Sequence, residues 1–301
     1  MNFIHCLLAV LITLIWGFNF IFVRIALDGM SPYLLCALRF IFASIPLIFF
    51  IRPPAVHVKW IIAYGLVMFA LQFLLLFLGI SAGVSPGLAS LIAQVQIFFS
   101  ILYAAILWNE IPTRWQIAGA LVAFSGIGVV AMNLNGNLTL LGFIFVLGAA
   151  ASWALGNVIT KSIGAINIMS LVVWGSFVAC FPMILMSLYM DGSHGILTTL
   201  QNLHRAEIIS VLYIIYISTL VGYGLWSFLL STYTVSVVVP FTLLIPIFGM
   251  LGSIVVLHEP LQSWKILAAV LVISGLIVNL LGAHFYKSLI ADQNCSKNGT
   301  S

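Results

Sequence analysis

The chain has 301 residues, 63% of them hydrophobic and 5% charged, with a net charge of +4 and a mean hydropathy of +1.26. A soluble domain carries roughly 25% charged residues, so the composition excludes a water-soluble surface and leaves a polytopic membrane protein. The lysines and arginines are scattered through the chain without a basic run. This excludes a nucleic-acid-binding face and makes them markers of membrane topology.

A membrane helix needs about 20 apolar residues, and the chain divides into ten such segments. They are predicted at 3–27, 31–51, 58–81, 85–109, 114–133, 139–160, 167–190, 207–231, 235–257 and 263–286. The joints carry helix breakers: "DGMSP", "RPPAVHVK", "SAGVSPG", "NEIPTR", "NLNGN" and "HEPLQS". The first segment lacks a basic leader and is too long for a signal core, so it is expected to remain as a helix. Residues 191–206 read as the one longer loop, and the polar end of the chain, within 287–301, reads as a disordered cytoplasmic tail. With the N-terminus inside, the cytoplasmic side receives Arg52, Lys59, Arg114, Lys161, Lys287 and Lys297, and the outer side Arg24, Arg205 and Lys265. That bias puts both termini in the cytoplasm.

Polar groups inside hydrocarbon are costly unless they are paired or face water, so mid-span polar residues are the candidates for function. In the first span Trp16 and Asn19 are three apart and share a helix face. Arg39 is the clear cation within a span, about eight residues into the second. Unpaired there it costs roughly 2.5–3.5 kcal/mol on insertion scales. It either binds carbonyls or a helix end structurally, or attracts a substrate carboxylate. Gln72 lies in the third span, and Gln94 and Gln96 in the fourth. Two residues apart, the latter point about 200° from one another on a continuous helix, which favours Gln94 over Gln96 as a cavity residue. Trp153 and Asn157, four apart, share a face of the sixth span. Tyr223 and Trp226 lie beside Gly222 and Gly224 in the eighth, as an aromatic wall or as close helix packing. Each asparagine or glutamine has the alternative of an interhelical hydrogen bond, about 1 kcal/mol each. Pro240 and Pro246 predict a break near the centre of the ninth span.

The chain repeats itself. "WGFNFIFVR" (16–24) resembles "WALGNVITK" (153–161), and "WNEIPTRWQIAGALVAFSG" (108–126) lines up with "LHEPLQSWKILAAVLVISG" (257–275). The second pair matches Glu110 with Glu259 and Gly126 with Gly275, 149 residues apart. The repeats are 1–136 and 137–286, five spans each, and an odd number inverts the second relative to the first. Inverted repeats around a midplane site are the usual build of a secondary transporter. The repeats also diverge: aligned on Pro46 and Pro182, Gly175 stands opposite Arg39.

The segments "WGFNF", "LRF" (38–40), "SWALGN" (152–157) and the two Glu-to-Trp repeat ends resemble the drug/metabolite transporter superfamily, in its ten-helix EamA family. "ALQF" (70–73), "GLASLIAQVQIFF" (87–99) and "LVGYGLW" (220–226) are similar to bacterial exporters of O-acetylserine and cysteine. The resemblance implies export of small metabolites by alternating access in a bacterial inner membrane. Amino acids of the cysteine pathway come first, with other amino acids, metabolites or amphipathic drugs as the alternative.

The other classes fare worse. The sequence has no HExxH, no GxSxG, no paired intramembrane aspartates and no Walker A, which argues against a membrane-embedded enzyme or ATP coupling. An inverted repeat has no evident use in a non-transporting scaffold. No Asp or Glu lies mid-span, so no carboxylate proton relay is expected. The four cysteines have no metal or redox spacing and read as small packing residues. No cofactor is expected. The partners are a small-molecule substrate and membrane lipid, with ion coupling and oligomeric state left open.

Overall fold

The computed structural model describes residues 1–134, 138–164 and 166–298, with backbone alone for 235, 236 and 283–298. Ten helices run along it: α1 (Phe3–Gly29), α2 (Pro32–Ile48), α3 (Val58–Ser81), α4 (Pro86–Trp108), α5 (Arg114–Met132), α6 (Leu140–Ile163), α7 (Ile168–Gln201), α8 (Arg205–Thr232), α9 (Val239–Leu257) and α10, apolar over Ser263–Gly282. Among the described residues nine are long and apolar enough to cross a membrane, and α2 is the short one at 17 residues. The helical backbone of α10 runs on to Asn298. The predicted tail thus begins within this helix, and 299–301 lie outside the described residues. The repeat boundary predicted at 136/137 also lies outside them.

The helix starts follow from their capping residues. Ser31 accepts from Leu34 N at 3.1 Å and is followed by Pro32, a residue pre-set for the first helical turn. Thr113 and Gln116 form a reciprocal capping box at the start of α5. Thr139 caps α6 by accepting from Gly142 N, and donates to Ala82 O at the end of α3.

The predicted loop at 191–206 is corrected. Gly192, at φ 69 and ψ 158, redirects the chain, and helix resumes to Gln201. A glycine is what allows that positive φ. Asp191 is anchored there by Ser31 and Ser187 hydroxyls at 2.7 and 2.9 Å.

The helix pairings reproduce the repeat. Exchanging α1–α5 for α6–α10 turns the α1–α9 contact into α6–α4, α3–α6 into α8–α1, and α3–α7 into α8–α2; α5–α10, α2–α7 and α4–α9 map onto themselves. The inversion is legible at α5–α10. A Cβ on Gly119 would lie 2.5 Å from Gly275 O, and one on Gly126 2.9 Å from Ala268 O. As the number rises along α5 it falls along α10, so the helices are antiparallel, and each contact is the repeat image of the other. The molecule is an all-α membrane fold of two inverted five-helix repeats. Small residues let these backbones approach, where packing rather than hydrophobicity drives association in lipid.

Gly119→Val is expected to destabilise the protein by about 1–3 kcal/mol through overpacking, measured by denaturant unfolding in micelles. Gly128→Val, where a Cβ meets nothing within 4 Å, should leave stability unchanged.

Candidate functional site

Between the repeats lies a cavity of about 390 Å³. Among the described residues eight helices line it, and α5 and α10 do not. All nine residues singled out from the sequence reach it: Trp16 and Asn19 on α1, Arg39 on α2, Gln72 on α3, Gln94 on α4, Trp153 and Asn157 on α6, Tyr223 and Trp226 on α8.

The cavity is built where helices depart from α geometry. In α3, Gly65–Leu71 is a π-helical stretch, and in the corresponding α8 so is Tyr213–Val221. Such stretches leave carbonyls that the regular ladder does not use. One in each helix is taken by a side chain from the other repeat. Trp16 Nε1 donates to Ser218 O at 3.1 Å, and Ser152 Oγ to Val67 O at 2.7 Å. Gly222 makes room for the indole, since a Cβ there would sit 2.7 Å from Trp16 Nε1. Trp16 then stands 5.5 Å from the Tyr223 ring and 5.2 Å from the Trp226 ring, centroid to centroid.

The second pair of departures lies in α4 and α9. The α4 backbone tightens into i→i+3 hydrogen bonds at Gln94, Val95 and Ile97. In α9, Val239–Leu243 is a 3-10 turn before the α-helix resumes at Leu244. These breaks occupy repeat-equivalent positions. The one in α9 falls nearer the start of the helix than its prolines predicted. The one in α4 has no proline at all and overturns the preference against Gln96. The 200° separation from Gln94 assumed a continuous helix; across the tightened turn both glutamines line the cavity. Gln96, which the spacing ranks below Gln94, thus lines the cavity too, and it holds Asn157, whose Nδ2 donates to Gln96 Oε1 at 2.8 Å.

Arg39 is 2% exposed, and its Nε and Nη1 have no hydrogen-bond partner. Its guanidinium carbon lies 3.7 Å from the centroid of the Phe73 ring, a cation–π contact. The reading in which carbonyls or a helix end hold it is not supported for those two nitrogens. Asn19 is 6% exposed, and its Oδ1 also lacks a partner. Among the described residues no cluster of histidine, cysteine or carboxylate groups is placed to hold a metal.

A second space of about 550 Å³ adjoins the cavity on the side of both termini. The two share Gln96, Ile97, Asn157 and Val239. On its wall Lys161 pairs with Glu110 at 2.7 Å, both about half exposed, and lies 4.1 Å from the Trp108 ring. This space is a vestibule. Its repeat image on the opposite side is collapsed to about 10 Å³. The collapsed space is lined by Met250, Glu259, Pro260, Leu261 and Lys265, counterparts of Ile101, Glu110, Ile111, Pro112 and Gln116 in the vestibule. There Lys265 pairs with Glu259 at 11% and 15% side-chain exposure. Asn109 and His258, which precede the two glutamates, both adopt left-handed backbone at φ 53 and 51. That shared turn aims each glutamate from its helix end. Around the collapsed side a Cβ on Gly17 would meet Phe248 at 2.6 Å and one on Gly87 would meet Met250 Cα at 3.2 Å.

The EamA-like transporter family matches residues 3–132 and again 140–281, one match for each five-helix repeat. The chain belongs to the EamA-like transporter family. It is similar to a protein of Escherichia coli (strain K12) named "Probable amino-acid metabolite efflux pump", with 36% identity over 94% of this chain and 96% of that one. The protein of the same name from Salmonella typhimurium is 37% identical over 91% and 94%. A crystal structure 17% identical covers 92% of this chain and 96% of its own with a TM-score of 0.65, a likeness of fold. The EamA chain described here is thus an integral membrane transporter, with its cavity between the two family repeats.

Trp16→Phe keeps an aromatic ring and removes the donor to Ser218 O. It is expected to cost about 1 kcal/mol, read by denaturant unfolding of the purified protein in micelles. Trp226→Phe removes an indole with no such bond and should cost measurably less.

Proposed function

We propose that this transporter is a secondary carrier that exports small amino-acid metabolites by alternating access, with cysteine and O-acetylserine as the first substrates to test. The observation that carries the reading is the pair of repeat-equivalent spaces, one open and one collapsed, on opposite sides of a single cavity. Exchange of the two arrangements between the repeats would close the vestibule and open its image. The cavity would thereby pass from one face of the membrane to the other. A non-transporting scaffold gives no reason for this pairing.

The excess of loop lysines and arginines on the side of the termini supports a cytoplasmic placement of that side. The vestibule then faces the cytoplasm, ready to receive a metabolite for export from a bacterial cell. The two efflux pumps named above support amino-acid metabolites as cargo, and a cavity of about 390 Å³ suits molecules of that size. Paired asparagines from the two repeats, Asn19 and Asn157, supply amide groups to hydrogen-bond the substrate.

Counterflow tests the carrier reading. Proteoliposomes loaded with unlabelled cysteine or O-acetylserine should accumulate the labelled compound, and Asn19→Ala/Asn157→Ala protein should not. Flat uptake in correctly folded wild-type protein, with either compound, would reject both as substrates.

Alternation has its own readout. With the native cysteines replaced by serine, Ser100→Cys in the vestibule should react readily with a water-soluble maleimide, and Met250→Cys should be protected. Lys265→Ala leaves the Glu259 carboxylate buried without its cation, a loss of about 3–5 kcal/mol for a buried pair. That change should raise labelling at Met250→Cys and lower it at Ser100→Cys. Equal labelling at both sites before and after the substitution would argue against exchange between two arrangements.

A further inference from the structure

The cavity contains an unmatched cation and an unmatched acceptor. The cation is Arg39. Each acid whose side chain is described is engaged elsewhere: Asp28 with Arg24, Glu110 with Lys161, Glu259 with Lys265, Asp191 with two serine hydroxyls, and Glu207 with the backbone N–H of His204. None of them reaches Arg39. A guanidinium at 2% exposure with two free nitrogens is one of the most costly groups to leave unpaired in hydrocarbon. The ring of Phe73 on one face offsets part of that cost, but a ring accepts no in-plane N–H. An unpaired charge on the cavity wall calls for an anion, and a planar carboxylate is the anion a guanidinium binds best. The acceptor is Asn19 Oδ1, equally buried and equally without a donor. It sits on α1 one turn from Trp16, whose indole packs with Tyr223 and Trp226. An amide oxygen on the same cavity wall as these rings suits an ammonium group.

We infer that the cavity is a two-pole site for a zwitterion, with Arg39 binding the α-carboxylate and Asn19 the α-ammonium of a neutral α-amino acid. The inference rests on the carrier reading only for its cargo and deepens it by naming the class. A positive cavity disfavours cationic amphipathic drugs, which bring a second cation and no carboxylate. Because the poles belong to α1 and α2, both in the first repeat, the recognition of the two ends of the substrate is asymmetric. The second repeat, with Gly175 opposite Arg39, contributes no equivalent charge.

Binding to purified full-length protein, read as a thermal-unfolding shift, tests this without requiring transport. The probes are cysteine, O-acetylserine, threonine and homoserine, each alongside its methyl ester and its deaminated acid. The amino acids should shift the transition. The esters and deaminated acids should each bind about tenfold to a hundredfold more weakly, the loss expected for one charged hydrogen-bonded partner. Arg39→Met should bind amino acid and ester alike, because the carboxylate no longer has a partner. Asn19→Ala should equally erase the preference for amino acid over deaminated acid. Arg39→Lys, which keeps the charge and loses the planar fork, should bind amino acids more weakly than wild type and still prefer them to esters. The wild-type comparison needs no variant, so a misfolded Arg39→Met leaves the test intact. Esters binding as tightly as amino acids, or no shift with any of the four amino acids, would overturn the inference. Binding with the two-pole preference but no counterflow would sink the carrier reading alone. Counterflow of a compound lacking one pole, at a rate equal to the amino acids, would sink the two-pole site alone.

Discussion

Hydrocarbon offers the backbone no hydrogen bonds, so any carbonyl or N–H released from a helix must find its partner within the protein. This constraint organises the whole structure. Four departures from α geometry, in α3, α4, α8 and α9, face the space between the repeats. There a side chain from the other repeat takes a freed carbonyl: Trp16 that of Ser218, and Ser152 that of Val67. Away from the cavity, α5 and α10 run as regular helices pressed together at glycines. Irregular backbone and candidate binding site coincide because only the cavity and its walls can accommodate both.

The same repeat supplies the likeness of the two ends and their difference. Glu110 and Glu259 follow the same left-handed turn, yet one pair stands half exposed at an open vestibule and the other is buried at a collapsed one. An exposed ion pair contributes about 0–1 kcal/mol, whereas losing one member of a buried pair is severe. The closed end is therefore held by the pair that is costly to break. The second oxygen of Glu259 is buried without a partner, which leaves part of the desolvation cost uncompensated. The proposed exchange needs arrangements that differ little in energy, and an incompletely satisfied latch meets that requirement.

Asymmetry at the cavity has a steric side as well. Gly175 lies against Tyr64 and Phe69, where a Cβ would meet ring atoms at 2.9 and 3.1 Å. The first repeat places a guanidinium at the matching position, and the second leaves that room to aromatic rings from α3. One cation therefore faces the cavity from α2, with no image from α7.

The amino-acid sequence by itself determined the membrane class, the ten apolar spans, the repeated halves and the nine polar and aromatic residues that now line one cavity. Those features depend on composition and on helical spacing, which are local quantities. It was less informative wherever a residue's direction depended on a neighbour. Residues two apart on a continuous helix diverge, which tells against Gln96 beside Gln94, and nothing in "IAQVQIFF" announces the tightened turn that brings it round to Asn157. The π-helical stretches in α3 and α8 likewise carry no proline or motif of their own; they persist because Ser152 and Trp16, distant in sequence, satisfy what they release. The helix beyond Gly192 reads as loop in the sequence because its polar composition conceals a helix that follows a single redirected residue. That Arg39 has no carboxylate, that one vestibule is open, and that its image is collapsed were decided by the tertiary structure. Pairing and closure belong to contacts between helices, and no stretch of either helix encodes them alone.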